Sequence, residues 1–337
     1  MSTFIQIVLL LGGFVCLVKG ADFFVDGSSA VAKKMKVPSI VVGLTIVAIG
    51  TSLPELAVSM LASIQNSNAI AYSNVVGSNL FNLLMVLGVT SLFIVVPVKT
   101  SILKREIPFL IGITMLLVFL AGDYLWFSGK ISLKHIFMFS LANEKIGAIN
   151  RMDGILFVLL FVGFIAWTVS YALKERQNME EHEGELLSNG KCVLYIIGGA
   201  IGVMLGGEVV VECAKRLAAT AGMSETLIGL TIVALGTSLP ELVTSVVAAR
   251  KGEADIAIGN VVGSNISNIL LVLGLSSAIS PVSVVAMSLA DAIICLGATI
   301  ITLVIVLTRK SIQRFEGILM ILIYAAYMAY ILARQYM

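Results

Sequence analysis

Two stretches of the chain, 186 residues apart, have nearly the same sequence. GLTIVAIGTSLPEL occupies residues 43–56 and GLTIVALGTSLPEL occupies residues 229–242, and only one position differs. The gap-free match extends over 43–88 and 229–274, where 28 of 46 positions are identical. Repetition on this scale means that the chain is built from two copies of one folding unit. Any fold of this sequence therefore contains the same arrangement of elements twice.

The composition places both copies in a membrane. Of the 337 residues, 58% are hydrophobic and 12% are charged, with a mean hydropathy of +1.03, whereas about a quarter of the residues of a soluble domain are charged. The net charge of +2 offers no basic footprint for nucleic acid. We therefore predict an all-α polytopic membrane protein that sits in the lipid bilayer and binds no nucleic acid. A transmembrane helix needs about 20 mostly apolar residues. The ten predicted transmembrane helices are 3–31, 38–64, 69–92, 106–122, 153–173, 191–218, 224–249, 255–277, 284–308 and 315–333.

The ten predicted spans divide into two halves of five. Residues 1–173 form the first repeat, 174–190 a charged cytoplasmic linker, and 191–337 the second repeat. The segment 123–152 is too polar to span, and we predict that it forms one or two amphipathic helices outside the membrane. Because five is an odd number, the second copy crosses the membrane in the opposite direction to the first. Two inverted five-helix repeats with a site near the midplane are the architecture of secondary transporters.

The distribution of lysine and arginine predicts the orientation of the chain. With the N-terminus outside, the inner loops hold 14 of the 22 basic residues, the outer side holds 7, and Lys19 lies within the first span. Cytoplasmic loops are enriched in these residues. We therefore predict a multi-pass protein of the cell (inner) membrane with both termini extracytoplasmic.

Each copy of the repeated motif places a proline inside a predicted span. Proline cannot donate a hydrogen bond to the carbonyl four residues earlier, so Pro54 leaves Gly50 without its helical partner, and Pro240 acts likewise in the second copy. Backbone oxygens freed around 48–50 and 234–236 are tolerated in a membrane only where protein, water or an ion satisfies them. We predict that helices 2 and 7, and also helices 3 and 8, are broken around an ion site at the midplane.

Polar side chains surround both prolines. Thr51 and Ser52 share a helix face with Glu55, because residues three or four apart lie on one side of a helix. The same kinds of residue recur in the second copy and in the following spans as Thr237, Ser238, Glu241, Ser78, Asn82, Ser264 and Asn268. Carboxylate, hydroxyl and amide oxygens suit hard cations such as Na⁺ and Ca²⁺. A charge at the bilayer centre costs about 2.5–3.5 kcal/mol, and spans 2, 3, 7 and 8 contain no Lys or Arg. A bound cation is therefore the predicted partner of Glu55 and Glu241.

The motifs GTSLPEL and NVVGSN, present in both halves, resemble the two alpha-repeats of the sodium/calcium exchanger family. The resemblance covers nearly the whole chain apart from 123–152. It implies an antiporter whose glutamates, Glu55 and Glu241, bind Ca²⁺ and Na⁺ at the centre of the helix bundle. It further implies that three Na⁺ exchange for one Ca²⁺ while the first and sixth helices slide past a fixed core. The other implied ion ligands are Thr51, Thr237, Ser52, Ser238, Ser78, Ser264, the amide of Asn82 and the backbone of Ala48 and Ala234.

Asn268 occupies the position in the second repeat that corresponds to Asn82, and at this position the chain differs from some members of that family. Some relatives, including potassium-dependent ones, have Asp at this position. The asparagine therefore argues against potassium dependence and leaves two carboxylates as the only formal charges of the site. Exchange of three Na⁺ for one Ca²⁺ at such a site is expected to move net charge across the membrane.

Three functional classes remain open at the level of sequence. We predict a Na⁺/Ca²⁺ antiporter that needs no cofactor and works as a monomer, and H⁺/Ca²⁺ exchange or transport of another divalent cation is the alternative within this class. A cation channel is the second class, although channels usually ring identical subunits around an axis. An intramembrane serine hydrolase is the third, but no embedded His, Lys or Asp lies near Ser52 or Ser238 to act as a base. No enzyme activity is therefore predicted.

Two acidic pairs lie in the first and sixth spans, where Asp22 precedes Asp26 by one turn and Glu208 precedes Glu212 by one turn. A lysine lies within a turn of each pair. We interpret the pairs as helix caps or partners in interhelical hydrogen bonds, since Lys19 and Lys215 could pair with some of these acids. The alternative is a vestibule on each face of the membrane that attracts cations.

Overall fold

The computed structural model describes residues 3–65, 68–123, 145–176, 187–223 and 234–335. Nearly all of them are helical. In chain order the helices are α1 Thr3–Met35, α2 Ser39–Thr51, α3 Leu53–Ile64, α4 Ala69–Phe93, α5 Ile107–Ala121, α6 Arg151–Glu175, α7 Asn189–Thr220, α8 Ala234–Gly236, α9 Leu239–Arg250, α10 Ala254–Ile279, α11 Ala286–Arg309 and α12 Arg314–Gln335. The short strands are β1 Val96–Pro97, β2 Lys145–Ile149, β3 Val282–Val285 and β4 Ser311–Ile312.

Among the described residues, seven helices are long and apolar enough to cross a membrane, or eight if the bent pair of α2 and α3 is one span. The protein is thus a mostly helical membrane protein, as predicted. Two of the ten predicted spans correspond to shorter helices. The span predicted at 106–122 is α5, which has 15 residues and follows a π-helical turn, Ile102–Glu106. The span predicted at 224–249 is represented by α8 and α9, because 224–233 lie outside the described residues.

The predicted breaks in helices 2 and 7 are confirmed. Helix α2 ends at Thr51, Ser52 adopts φ −83° and ψ 6°, and α3 leaves the break at an angle of 47° to α2. Ser238 adopts nearly the same conformation, φ −94° and ψ 6°, between α8 and α9. In both cases a proline occupies the start of the second helix, where its missing N–H costs nothing.

The predicted breaks in helices 3 and 8 are wrong. Helices α4 and α10 are continuous, and each contains a π-helical segment instead, Phe81–Val86 in α4 and Asn268–Leu273 in α10. Neither helix contains proline, so no donor is lost and the helix is not forced to end. A π-helical segment widens the turn locally and is often found at functional sites. Asn82 and Asn268 both lie in these segments.

Glycine residues let α1 and α7 cross in backbone contact. A Cβ atom added at Gly20 would lie 2.9 Å from the carbonyl oxygen of Gly199, and one added at Gly206 would lie 2.9 Å from that of Gly13. Any larger side chain would overpack these contacts. Because the glycines of α1 meet those of α7 in reverse order, the two helices run antiparallel.

Two small antiparallel sheets connect segments that lie between the helices. Strand β1 pairs with β4, and β2 pairs with β3. β2 belongs to the segment 123–152, for which amphipathic helices were predicted. That prediction is wrong for Lys145–Ile149, which form a strand because β3 offers them an edge from the other half of the chain. The rest of the predicted amphipathic segment, 124–144, lies outside the described residues.

Helices α4 and α10 form the centre of the bundle. Of the most apolar stretch of each, 78% is buried in α4 and 94% in α10, compared with 28% in α1 and in α7. Ser78, Asn79 and Asn82 of α4 are buried in protein, and so are Ser264, Asn265 and Asn268 of α10. This position brings them against the two helix breaks.

Candidate ion-binding site

Glu55 and Glu241 lie in the first turns of α3 and α9, directly after the two breaks. Both side chains are fully buried. The first amide groups of a helix have no intrahelical acceptor and carry partial positive charge, which favours a carboxylate nearby. Each break therefore places a glutamate side chain in the protein interior. The helix N-terminus beside it stabilises its negative charge.

Each carboxylate is contacted by a hydroxyl from the opposite half of the chain. Ser238 Oγ donates to Glu55 Oε1 at 3.1 Å, and Ser52 Oγ donates to Glu241 Oε1 at 3.3 Å. Ser78 on α4 lies 3.5 Å from Glu55 Oε1 and 3.0 Å from Ser238 Oγ. The two breaks therefore meet, and Ser52, Ser78 and Ser238 lie together with the two carboxylates.

Thr51 and Thr237 lie at the edges of this site. Thr51 Oγ1 donates to Asn260 Oδ1 at 2.9 Å and lies 3.3 Å from Ser264 Oγ. Thr237 Oγ1 donates to Asn74 Oδ1 at 3.4 Å. Each threonine thus contacts the buried central helix of the other half.

The backbone oxygen of Ala48 is surrounded by donors rather than left free. It accepts from the Ser52 amide at 3.0 Å, from Thr51 Oγ1 at 3.3 Å and from Ser264 Oγ at 3.4 Å. Ala234 opens α8 at the corresponding position of the second half.

Several buried oxygens of the site have no hydrogen-bond partner. They are Glu55 Oε2, Glu241 Oε2, Asn82 Oδ1 and Asn268 Oδ1. A buried polar atom without a partner is costly, and such oxygens are suited to bind a desolvated cation. Every described side-chain partner of the two carboxylate groups is a hydroxyl, so no basic side chain neutralises them within the described residues. Asn82 also has an unpartnered Nδ2 and makes no hydrogen bond through its side chain.

Asn74 and Asn260 belong to the site although the sequence analysis did not single them out. Asn74 Nδ2 donates to the backbone oxygen of Glu55 at 3.3 Å and to Ser59 Oγ at 3.0 Å. Asn260 Nδ2 makes the same two contacts, to Glu241 at 3.3 Å and to Ser245 Oγ at 3.0 Å. Both asparagines open the repeated NVVGSN motif, and their identity in the two copies was the available signal.

A second pair of asparagines joins the two central helices. Asn79 Nδ2 donates to the backbone oxygen of Asn265, and Asn265 Nδ2 donates to that of Asn79, each at 3.2 Å. Asn268 Nδ2 donates to Asn79 Oδ1 at 3.1 Å, which fixes the amide of Asn268 and leaves its carbonyl oxygen open. These contacts hold α4 and α10 together beside the carboxylates.

Lys19 and Lys215 each pair with an acidic residue of their own helix, as expected for some of these acids. Lys19 lies 3.4 Å from Asp22, and Glu212 lies 3.8 Å from Lys215 and 2.8 Å from Arg216. Surface pairs of this kind contribute little to stability, about 0–1 kcal/mol.

A cleft of about 760 Å³ reaches the site between α1, α7 and the two breaks. Its wall includes Pro54, Thr237 and Pro240 at the site, and Glu208 and Glu212 on α7. Lys215 and Arg216 line the same wall and lie close to Glu212, so acidic and basic side chains are present there in equal number. The cleft ends beside the two helix breaks, whereas Glu55 and Glu241 themselves stay buried behind its wall.

Comparison with known proteins finds the same family in both halves of the chain. The profile of the family described as sodium/calcium exchanger protein matches residues 5–170 and 191–333. The sodium/calcium exchanger MaX1 of Methanosarcina acetivorans is 35% identical over 342 residues, covering 96% of this chain and 97% of the relative. The putative antiporter CaxA of Alkalimonas amylolytica is 34% identical over 330 residues, covering 95% and 96%.

The fold is also similar to that of a solved exchanger. A structure of the sodium-calcium exchanger NCX_Mj, soaked with 2.5 mM Na⁺ and 10 mM Sr²⁺, matches with a TM-score of 0.79 and 28% sequence identity, covering 97% of this chain and 99% of the other. The matches extend over both repeats and include the breaks and the central helices. The chain therefore belongs to the sodium/calcium exchanger family, a family of transporters rather than enzymes.

Proposed function

We propose that the protein is a secondary active antiporter that exchanges Na⁺ for Ca²⁺ by alternating access. Membership of the family supports exchange of Ca²⁺ for another cation, and Na⁺ is the counter-ion that we assign. The observation that carries the proposal is the pair of fully buried glutamates, Glu55 and Glu241, whose described side-chain partners are all hydroxyls. Buried charges without a partner are strongly unfavourable, so these carboxylates need a cation.

The proposed ligands come from both repeats. Ca²⁺ takes about six to eight oxygen ligands at flexible geometry, and Glu55 and Glu241 each keep one oxygen open for it. The hydroxyls that now contact the carboxylates can turn their oxygens toward an ion. The remaining proposed ligands are Thr51, Thr237, Ser52, Ser238, Ser78, Ser264, Asn82, Asn268 and the backbone oxygens of Ala48 and Ala234.

We propose that the exchange is electrogenic. Two carboxylates balance one Ca²⁺, whereas three Na⁺ exceed them by one charge. Asn268 contributes an amide at the position where an acid would absorb that excess. Each elementary charge moved across the membrane is worth about 2.3 kcal/mol per 100 mV, so membrane potential should drive the transport.

For the architecture we propose ten spans in two inverted repeats, 1–173 and 191–337, joined by the cytoplasmic linker 174–190. Reciprocal contacts support this arrangement. Asn79 and Asn265 make the same bond to one another, and so do the pairs Ser52–Glu241 and Ser238–Glu55. Contacts that recur with the partners exchanged are typical of a two-fold relation. Lysine and arginine counts support extracytoplasmic termini in the cell (inner) membrane, and one chain supplies the whole site, which supports a functional monomer.

Uptake of ⁴⁵Ca²⁺ into vesicles tests the counter-ion. Vesicles containing the purified protein are preloaded with Na⁺, with K⁺, or with a pH gradient in the absence of Na⁺. Only the outward Na⁺ gradient should drive uptake. Uptake driven by the pH gradient alone would replace the proposal with H⁺/Ca²⁺ exchange, and single-channel currents would replace it with a channel.

A clamped potential tests the electrogenic step in the same vesicles. With K⁺ and valinomycin, an inside-positive potential should speed Na⁺-driven Ca²⁺ uptake, because net positive charge leaves as Ca²⁺ enters. Equal uptake at all clamped potentials would instead indicate an electroneutral cycle.

A further inference from the structure

Lys251, which follows the last residue of α9, contacts α1 at one face of the bundle. Its Nζ lies 2.8 Å from Asp26 Oδ1 and 3.4 Å from Asp22 Oδ1, and it donates to the backbone oxygen of Asp22 at 2.9 Å. The Lys251 side chain is only 30% exposed. A single ammonium group therefore joins the end of a site-bearing helix to two turns of α1. We call this group of three residues the Lys251 latch.

Glu253 extends the contact two residues further on. Ser29 Oγ donates to its carboxylate, and Lys33 Nζ lies 3.7 Å from the same oxygen, Oε1. Gly252 between them has φ +79°, a conformation that glycine adopts without strain. The turn after α9 thus contacts four side chains in the C-terminal half of α1.

Among the described residues, the opposite face shows no such contact. The offset of 186 residues places Gln65 where Lys251 stands, and Glu208 and Glu212 where the two aspartates stand. The described ion pairs of Glu212 are with Lys215 and Arg216 of its own helix, and both glutamates line the open cleft. Both faces therefore carry an acidic pair on α1 or α7, but only one face has a lysine, Lys251, at the end of a site-bearing helix.

The geometry points to Lys251 as the positioning residue that holds α1, and through it the α7 helix packed on α1, against the core on its own face. We propose that opening of the site to that face requires release of the latch, and that its one-sided presence biases the resting protein toward opening on the opposite face. This inference rests on the proposed alternating access. The residues of the latch then set the balance between the two open states, and their presence on one face makes that balance unequal.

The test uses Lys251→Gln, which copies the residue found on the opposite face. The ratio of the Ca²⁺ KM values measured from the two faces reports the balance, because apparent affinity from one side scales with the fraction of protein open to that side. A part-exposed network of two ion pairs predicts a shift of about fivefold in this ratio, toward tighter apparent binding on the Lys251 face. Lys251→Arg should restore the original ratio. Arg250→Gln removes the same charge from the neighbouring exposed position and should leave the ratio unchanged.

Cysteine labelling gives a second reading of the same balance. In a variant whose four native cysteines are replaced, Val58→Cys places a thiol on the wall of the cleft, where Val58 is 39% exposed. A membrane-impermeant reagent should label it more slowly when Lys251→Gln is added. A structural defect alone would not shift labelling and the KM ratio in this coordinated way.

Gln65→Lys supplies the missing lysine on the opposite face. It should pair with Glu208 and Glu212 when the cleft closes, and shift the KM ratio in the same direction as Lys251→Gln. An unchanged ratio in Lys251→Gln, or an equal shift in Arg250→Gln, would overturn the latch. If labelling shifted but no Na⁺-driven uptake occurred, the result would support the latch and contradict Na⁺ as the counter-ion.

Discussion

Asn74 and Asn260 hold the two glutamate-bearing turns in place by the same pair of hydrogen bonds. Each donates to the backbone oxygen of a site glutamate and to a serine one turn further along the same helix. Their own oxygens accept from Thr237 and Thr51. The asparagines therefore couple the position of each carboxylate to the threonine of the opposite break.

Asn260→Ala should raise the Ca²⁺ KM by about tenfold, because it leaves buried acceptors on the Glu241 turn unsatisfied at a cost of about 1–3 kcal/mol. Asn74→Ala should act likewise at the Glu55 turn. Flux assays in vesicles give KM, and thermal unfolding of the purified variants checks that the fold persists. Unchanged KM in both folded variants would show that the asparagines do not position the carboxylates.

At the scale of the helix, the break after Thr51 depends on the proline that follows it. Pro54→Ala restores a donor for the Gly50 carbonyl and lets α2 continue into α3, which moves Glu55 from the site. Regaining one backbone hydrogen bond of about 1 kcal/mol should weaken Ca²⁺ and Na⁺ binding about fivefold, and Pro240→Ala should do the same in α9. Ion-dependent shifts of the unfolding temperature measure both affinities. If neither affinity changed, the proline would be an ordinary kink.

The crossing of α1 and α7 makes a second prediction at this scale. A Cβ at Gly20 would come within 2.6 Å of the Val203 amide, whereas Gly12 and Gly198 have open space around the added atom. Gly20→Ala should therefore lower stability by about 1–3 kcal/mol, or slow exchange by hindering movement of the pair. Gly12→Ala and Gly198→Ala are matched controls that should change neither. Equal effects in all three variants would contradict the close crossing.

The elements differ in how far the sequence could predict them. The breaks followed from Pro54 and Pro240 because proline has a fixed consequence for the backbone. The π-helical segments of α4 and α10 did not, because no residue type enforces a wider turn. The strand Lys145–Ile149 forms only because β3 lies beside it, and such pairing is decided by tertiary structure. The glutamates and serines of the site were predicted, but which hydroxyl meets which carboxylate depends on how the two halves dock.

At the scale of the whole molecule, the two repeats are proposed to run through the membrane in opposite directions. Gln65 and Lys251 are equivalent positions in the repeat and should therefore lie on opposite faces. In a background without native cysteines, Gln65→Cys should react with an impermeant thiol reagent from outside the cell, and Lys251→Cys only from inside. Labelling of both from the same side would exclude inversion.

The most direct test of the account is Na⁺-driven ⁴⁵Ca²⁺ uptake in vesicles with one site carboxylate neutralised. Glu55→Gln and Glu241→Gln keep the shape of each side chain but halve the negative charge available to the ion. The control is Glu316→Gln, which removes a carboxylate that pairs with Arg309 away from the site. Each site variant should lose Na⁺-driven uptake while still folding, and the control should keep it. Near-normal uptake in either site variant would contradict the claim that these two glutamates bind the transported ions.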